Sequence, residues 1–275
     1  MLPSLLLSIR EGLEAALILG IVLGALRQIQ RRELAPAVWL GAGSAALLSL
    51  VAALGLNYLN LTLEGTAEQV FEGITMLLAA GILTWMIFWM ARQARSLKTD
   101  LVSGVRQASL GGWWSLFGLA FLSVLREGVE LALFLTAAAL TGGARATLTG
   151  ALLGLGAAGL LGFLVFATSL RMELQPFFRV TGLLLLLFSA GLVAHGVHEF
   201  NEAGWVPAVV EHVWNVNPLL DESSTLGTFL KTLFGYNGDP SLTEILAYVV
   251  YVGAILLGLR ATGRKRQPGT AEGAA

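Results

Sequence analysis

Long apolar runs alternate along the chain with short polar connections. Runs of roughly 20 residues, enough to cross about 30 Å of hydrocarbon, fall at about 2–26, 36–57, 65–91, 110–140, 147–170, 177–199 and 241–260. The pattern predicts seven transmembrane helices, because a helix satisfies its backbone donors and acceptors within one segment, as lipid demands. A shorter apolar set, Leu226, Phe229, Leu230, Leu233 and Phe234, repeats at helical spacing before Gly235 and predicts an interfacial helix ahead of the last span. Asp239-Pro240 is expected to open that span as N-cap and first-turn proline. Gly20-x-x-x-Gly24 and Gly150-x-x-x-Gly154 are expected to bring helices close together. The first run has no basic residue ahead of it and is read as a retained helix. The tail, 263–275, is expected to be disordered.

Composition agrees with this architecture. Hydrophobic residues make up 56% of the chain and charged residues 13%, against about 25% charged in soluble domains. The fold class is therefore all-α, a polytopic membrane protein surrounded by lipid. The net charge of −1 hides an asymmetry of charge and by itself says nothing about partners; no nucleic acid partner is expected. The absence of cysteine excludes disulfides, thiolate metal sites, iron–sulfur clusters and covalent c-type haem, and no permanently bound cofactor is expected.

Basic residues orient the spans. Arg27, Arg31 and Arg32 follow the first span, Arg92, Arg95, Lys98 and Arg106 the third, Arg171 and Arg179 the fifth, and Arg260, Arg264, Lys265 and Arg266 the seventh. The intervening connections hold only Arg145 and Lys231. The N-terminus is therefore expected outside and the C-terminus in the cytoplasm, as suits a multi-pass protein of the cytoplasmic (inner) membrane. Acids show the reverse bias: Glu64, Glu68, Glu199, Glu202, Glu211, Asp221, Glu222, Asp239 and Glu244 fall on or beside outside connections, a distribution that concentrates cations. Glu64, Glu68 and Glu72 are spaced to share one helix face.

Two spans break the apolar rule in the same way. The first carries Arg10-Glu11-Gly12-Leu13-Glu14 and the fourth Arg126-Glu127-Gly128-Val129-Glu130. Six such charges at helix centres oppose insertion by about 15–20 kcal/mol if unpaired. Each motif begins a set of three spans, and Leu78-Ala79-Ala80-Gly81-Ile82-Leu83 in the third span loosely echoes Phe188-Ser189-Ala190-Gly191-Leu192-Val193 in the sixth. This predicts two inverted three-helix repeats, 1–106 and 107–200, followed by an extracytoplasmic loop, 201–240, and one extra helix, 241–262.

Glutamates three apart share a helix face, so Glu11 with Glu14 and Glu127 with Glu130 each offer two carboxylates in one direction. Arg10 and Arg126, four residues before the second glutamate, supply counter-charge, while Gly12 and Gly128 admit a neighbouring backbone. The motifs retain a formal charge of −2, and an all-oxygen site suits hard cations such as iron(III), manganese or magnesium. Structural salt bridges holding helices in register are one alternative, and a proton relay in a cation antiporter is another. His195, His198, Glu199 and Glu202 place nitrogen and oxygen donors at the end of the sixth span. Together with Glu64, Glu68 and Glu72 they form a candidate receiving site for metal at the outer mouth. The spacing of His195 and His198 does not suit axial ligation of one haem iron.

The paired motifs, seven spans and acidic outer loop resemble the oxidase-dependent iron permease family, found as fungal high-affinity iron permeases and bacterial Efe-type ferrous iron permeases. The resemblance implies a transporter rather than an enzyme, with iron as its substrate. It also implies that Arg10, Glu11, Gly12, Glu14, Arg126, Glu127, Gly128 and Glu130 match the translocation motifs. Iron(II) would be oxidised to iron(III) by a partner, and since nothing here looks like a fused extracytoplasmic domain, that oxidase or iron donor would be a separate protein. Relatives associated with lead uptake leave another metal open as cargo, and the sequence permits an oligomer.

Overall fold

The computed structural model describes residues 1–93, 97–168, 174–222 and 224–264. Among them there are helices and turns but no strand: α1 (Leu2–Gln28), a 3-10 turn (Arg32–Leu34), α2 (Ala35–Thr62), α3 (Thr66–Gln93), α4 (Leu97–Leu110), α5 (Trp113–Gly142), α6 (Ala144–Thr168), α7 (Leu174–Glu202), α8 (Thr225–Phe234) and α9 (Leu242–Arg264). Five of these, α2, α3, α6, α7 and α9, are long and apolar enough to cross a membrane. Helices α1 and α5 have the length, at 27 and 30 residues, but their motif charges remove them from a count based on composition. Hydroxyls inside the long helices turn back on their own backbone, as where Ser49 Oγ donates to Ala45 O at 2.9 Å and Ser189 Oγ to Leu185 O at 2.8 Å, which gives each of these buried donors a partner within its own helix. The outward side chains are apolar, including Leu47, Leu50, Val51 and Leu54 on α2 and Val249, Val250 and Leu257 on α9. This is a membrane protein.

Packing follows small residues. Helix α1 lies against α6, α2 against α5, and α3 against α7, while α1 and α5 also touch each other. Gly150 and Gly154 of α6 sit directly on the first turns of α1, where added methyl groups would strike the backbone near Met1 and Leu5, so that pair acts as its spacing predicts. Gly24 does not, because open space surrounds it. The central cluster gathers Leu7, Met76, Leu83, Met86, Phe134, Leu185, Phe188 and Leu192 from α1, α3, α5 and α7.

The connection before α9 is tied down rather than loose. Helix α8 is capped by Ser224, whose Oγ accepts from Gly227 N at 2.9 Å, and ends on Gly235 at φ 69°, a left-handed position that suits glycine. Gly235 rests on Gly191 of α7 so closely that neither could carry a side chain. One side of α8 packs on α7 and α5 through buried Leu233, and the other presents Leu226 and Phe229 outward, which suits the expected interfacial helix. Val213 N donates to Pro240 O and Val216 N to Gly238 O, fastening the loop to the approach of α9.

Three expectations need correction. Helix α9 begins at Leu242 rather than at Asp239-Pro240. Ser241 N donates to Glu244 Oε1 at 3.0 Å and Glu244 N to Ser241 Oγ at 3.3 Å, a reciprocal box that satisfies two end donors, while Asp239 pairs with His212 at 2.9 Å. Glu64 precedes the first turn of α3 and shares no helix face with Glu68 and Glu72. The acidic surface expected on the outer side is smaller than composition suggests, because Glu222 binds Lys231 and Gly238 N, and Glu244 is buried. The expected tail lies, from residue 265 on, outside the described residues, as do Arg95, Arg171, Lys265 and Arg266.

Candidate functional site

The two glycines of the motifs set the geometry. A methyl group on Gly12 would collide with Ala158 of α6, and one on Gly128 with Ser49 of α2. With those faces pressed against their partners, the glutamate faces of α1 and α5 are left to meet each other. Glu11, Glu14 and Glu127 each place a carboxylate oxygen within 4.8 Å of the others. Glu11 is 1% exposed and Glu127 5%. Glu130 lies close enough for its charge to act on all three. The structure thus brings together three of the four carboxylates that the spacing singles out, with Glu130 within electrostatic reach, drawn from helices more than a hundred positions apart.

Each arginine pairs within its own helix. Arg126 Nε donates to Glu130 Oε1 at 2.9 Å and stands 4.0 Å from Glu127 Oε1. Arg10 Nε is 3.4 Å from Glu14 Oε1, its Nη1 is 3.9 Å from Glu11 Oε1, and its Nη2 donates to Met90 Sδ at 3.0 Å. These contacts leave buried oxygens unsatisfied: both of Glu11 and one each of Glu14, Glu127 and Glu130 have no hydrogen-bond partner. Carboxylates so close repel one another unless protons or a cation intervene, and unsatisfied buried oxygens are costly. The arrangement is suited to holding a hard cation by oxygen alone.

A second group forms where the start of α3 meets the end of α7. Gln69 Nε2 donates to Glu202 Oε2 at 3.1 Å, and Glu199 lies within electrostatic reach of Glu68, Glu72, His198 and Glu202. His198 is held from both sides, Nε2 by Glu202 at 3.1 Å and Nδ1 by Glu244 at 3.0 Å. His195 takes a different environment: it is buried, with Nδ1 against Gly191 O at 2.9 Å and Nε2 without a partner. Of the residues expected here, Glu68, Glu72, His198, Glu199 and Glu202 gather, Glu64 stands off in the turn, and His195 lies within the packing of α7.

Sequence reasoning counted Glu244 only among the acids beside outside connections and missed Met90, Trp85 and Trp89. Glu244 was legible as the last member of a Ser-x-x-Glu capping box. The three α3 residues carry no chemical signature, since a methionine and two tryptophans on a membrane helix read as packing until a guanidinium lies beside them.

The iron permease FTR1 family matches residues 1–262. The ferrous iron permease EfeU of Yersinia pestis is 35% identical over 250 residues, covering 90% of this chain and 89% of the relative. EfeU of Yersinia pseudotuberculosis serotype I (strain IP32953) and of Escherichia coli O157:H7 are likewise 35% identical over 250 residues, with 88% and 91% of those relatives covered. No solved structure matches the chain.

Proposed function

The chain belongs to the iron permease FTR1 family, and on that premise we propose that it imports iron across the cytoplasmic membrane through the carboxylates of its two Arg-Glu-Gly-x-Glu motifs. It is a transporter and not an enzyme. The observation that carries the site is the meeting of Glu11, Glu14 and Glu127, with oxygens within 4.8 Å and several of them lacking any partner. Iron(II) or iron(III) would complete the coordination of oxygens that nothing else satisfies. Arg10 and Arg126 moderate the repulsion while leaving the net charge of −2 that a multivalent cation neutralises.

On this reading α1 and α5 join the five apolar helices as spans, which makes seven, with their charges turned toward each other and away from lipid. Helices α1–α3 and α5–α7 form two inverted repeats. Exchanging α1 with α5, α2 with α6 and α3 with α7 carries the α1–α6 contact onto α5–α2 and returns α3–α7 to itself, the contact pattern expected of a pseudo-two-fold plan with its site on the axis. With the N-terminus outside, Glu68, Glu72, His198, Glu199 and Glu202, with Glu64 and His195 nearby, receive the ion first. A separate extracytoplasmic oxidase delivers it as iron(III).

Radioiron uptake by reconstituted vesicles, with and without an added ferroxidase, tests the proposal. Saturable accumulation that the ferroxidase increases is the expected result. Cation-dependent proton flux without iron uptake would identify an antiporter, and accumulation of lead in preference to iron would reassign the cargo.

A further inference from the structure

Arg10 and Arg126 hold matching places in the two motifs but sit in unlike surroundings. Arg10 is 1% exposed and stopped by Met90 Sδ. The Arg126 side chain is 38% exposed, and its Cζ lies 5.0 Å from the Trp89 ring centroid and 5.9 Å from that of Trp85. Those indoles stand one helical turn apart on α3, stacked at 6.1 Å and 23°. The guanidinium is bonded to Glu130 while Oε1 of Glu127, one of the three clustered carboxylates, is only 4.0 Å away.

We propose that Trp85 and Trp89 are positioning residues that hold the Arg126 guanidinium on the Glu130 side, preventing it from closing on Glu127 and acting as a built-in competitor for the transported cation. The inference rests on the reading of Glu11, Glu14 and Glu127 as a cation site. A movement of about 1 Å would give Arg126 a charge-assisted bond to Glu127, and that bond would neutralise part of the field that attracts the ion. Attraction between a cation and the electron-rich face of an indole opposes the movement. A guanidinium suits the position because its flat surface can lie along a ring while its edge bonds a carboxylate. Arg10 needs no such restraint, since its buried side chain has no room to move.

The test uses the purified full-length chain and two readouts: binding of manganese(II), followed by the electron paramagnetic resonance signal of the free ion, and uptake of radioiron by reconstituted vesicles. Trp89→Leu, and more strongly Trp85→Leu with Trp89→Leu, should weaken manganese binding roughly 3- to 30-fold, the range that a cation–π contact accounts for. In uptake the effect should fall on KM rather than on maximal rate. Trp89→Phe, which keeps a ring and a similar shape, should give a smaller loss. In an Arg126→Gln background the same tryptophan changes should leave manganese binding unmoved, a result that a merely structural role for the indoles would not produce. An unchanged Kd in the tryptophan variants, an equal loss in the Arg126→Gln background, or no manganese binding by the unsubstituted chain would each overturn the proposal. Binding that behaves as expected without any iron uptake would instead overturn the permease reading and leave this one standing.

Discussion

An ionised glutamate survives in hydrocarbon only where neighbours replace its lost water, and Glu11 has few. Neither oxygen accepts a hydrogen bond, and its nearest cation, Arg10, stands 3.9 Å away. If these carboxylates exist to bind a passing ion, then Glu11→Ala, Glu14→Ala, Glu127→Ala and Glu130→Ala should each abolish iron uptake while the protein still reaches the membrane, and Glu11→Ala, which removes a buried carboxylate with no hydrogen-bond partner, should melt no lower than the parent. Misassembly of all four would favour structural salt bridges instead. Arg10→Ala should be harsher on folding, by about 3–5 kcal/mol, because it leaves buried carboxylates without their counter-charge; membrane yield and thermal unfolding in detergent would measure it. The glycine beside each pair is steric in purpose. Gly128→Ala should destabilise by about 1–3 kcal/mol through overpacking against Ser49. Combining it with Ser49→Gly should recover most of that loss in the same melting assay, and failure to recover would mean that the glycine is needed for backbone reasons.

At the level of helices, the ends carry the information that hydropathy lacks. The start of α9 is set by Ser241 and Glu244, and Glu244 also reaches His198 Nδ1 at 3.0 Å and accepts from Asn237 Nδ2 at 2.7 Å. One carboxylate thereby ties α9 to α7 and to the loop that precedes it. Glu244→Ala should cost about 1 kcal/mol for the lost cap alone and should raise amide exchange over the first turn of α9. Asp239→Asn, at the position that the sequence pattern favours as the cap, should stay within about 0.5 kcal/mol, because Asp239 serves only an exposed histidine. A larger effect at Asp239 than at Glu244 would reverse this assignment. Helix α4 went unrecognised for a related reason: its polar and apolar residues alternate along a helix too mixed to read as a span, and the expected boundary at 106/107 falls inside it.

Across the whole molecule, direction of transport depends on which face looks outward. The acids of α3 and α7 and the α8 loop share the face that carries the N-terminus, whereas α4 follows the opposite ends of α1 and α3. Single cysteines at Thr66, Leu219 and Gln107, all exposed, introduced into this cysteine-free chain and probed with an impermeant thiol reagent in intact spheroplasts, should label at Thr66 and Leu219 but not at Gln107. The opposite pattern would turn the same carboxylates into an exit route.

What the chain determines by itself is whatever depends on near neighbours or on totals. The helical class, the long apolar runs, the interfacial stretch ending at Gly235 and the doubled motif are all properties of periodicity and composition, and they persist whatever the helices pack against. The pairing of Arg10 with Glu14 and of Arg126 with Glu130 is equally local, being one turn of helix. Only the tertiary structure decided that α1 lies on α6 while α2 lies on α5, and hence that Glu127 comes to Glu11 and Glu14 while Glu130 keeps its arginine. It also decided that Glu64 stands apart, that His195 is buried and that Trp85 and Trp89 lie beside Arg126. Those outcomes rest on contacts between residues far apart in sequence, where the fit of small side chains at Gly12, Gly128, Gly150 and Gly154 selects one arrangement among many that share the same hydropathy.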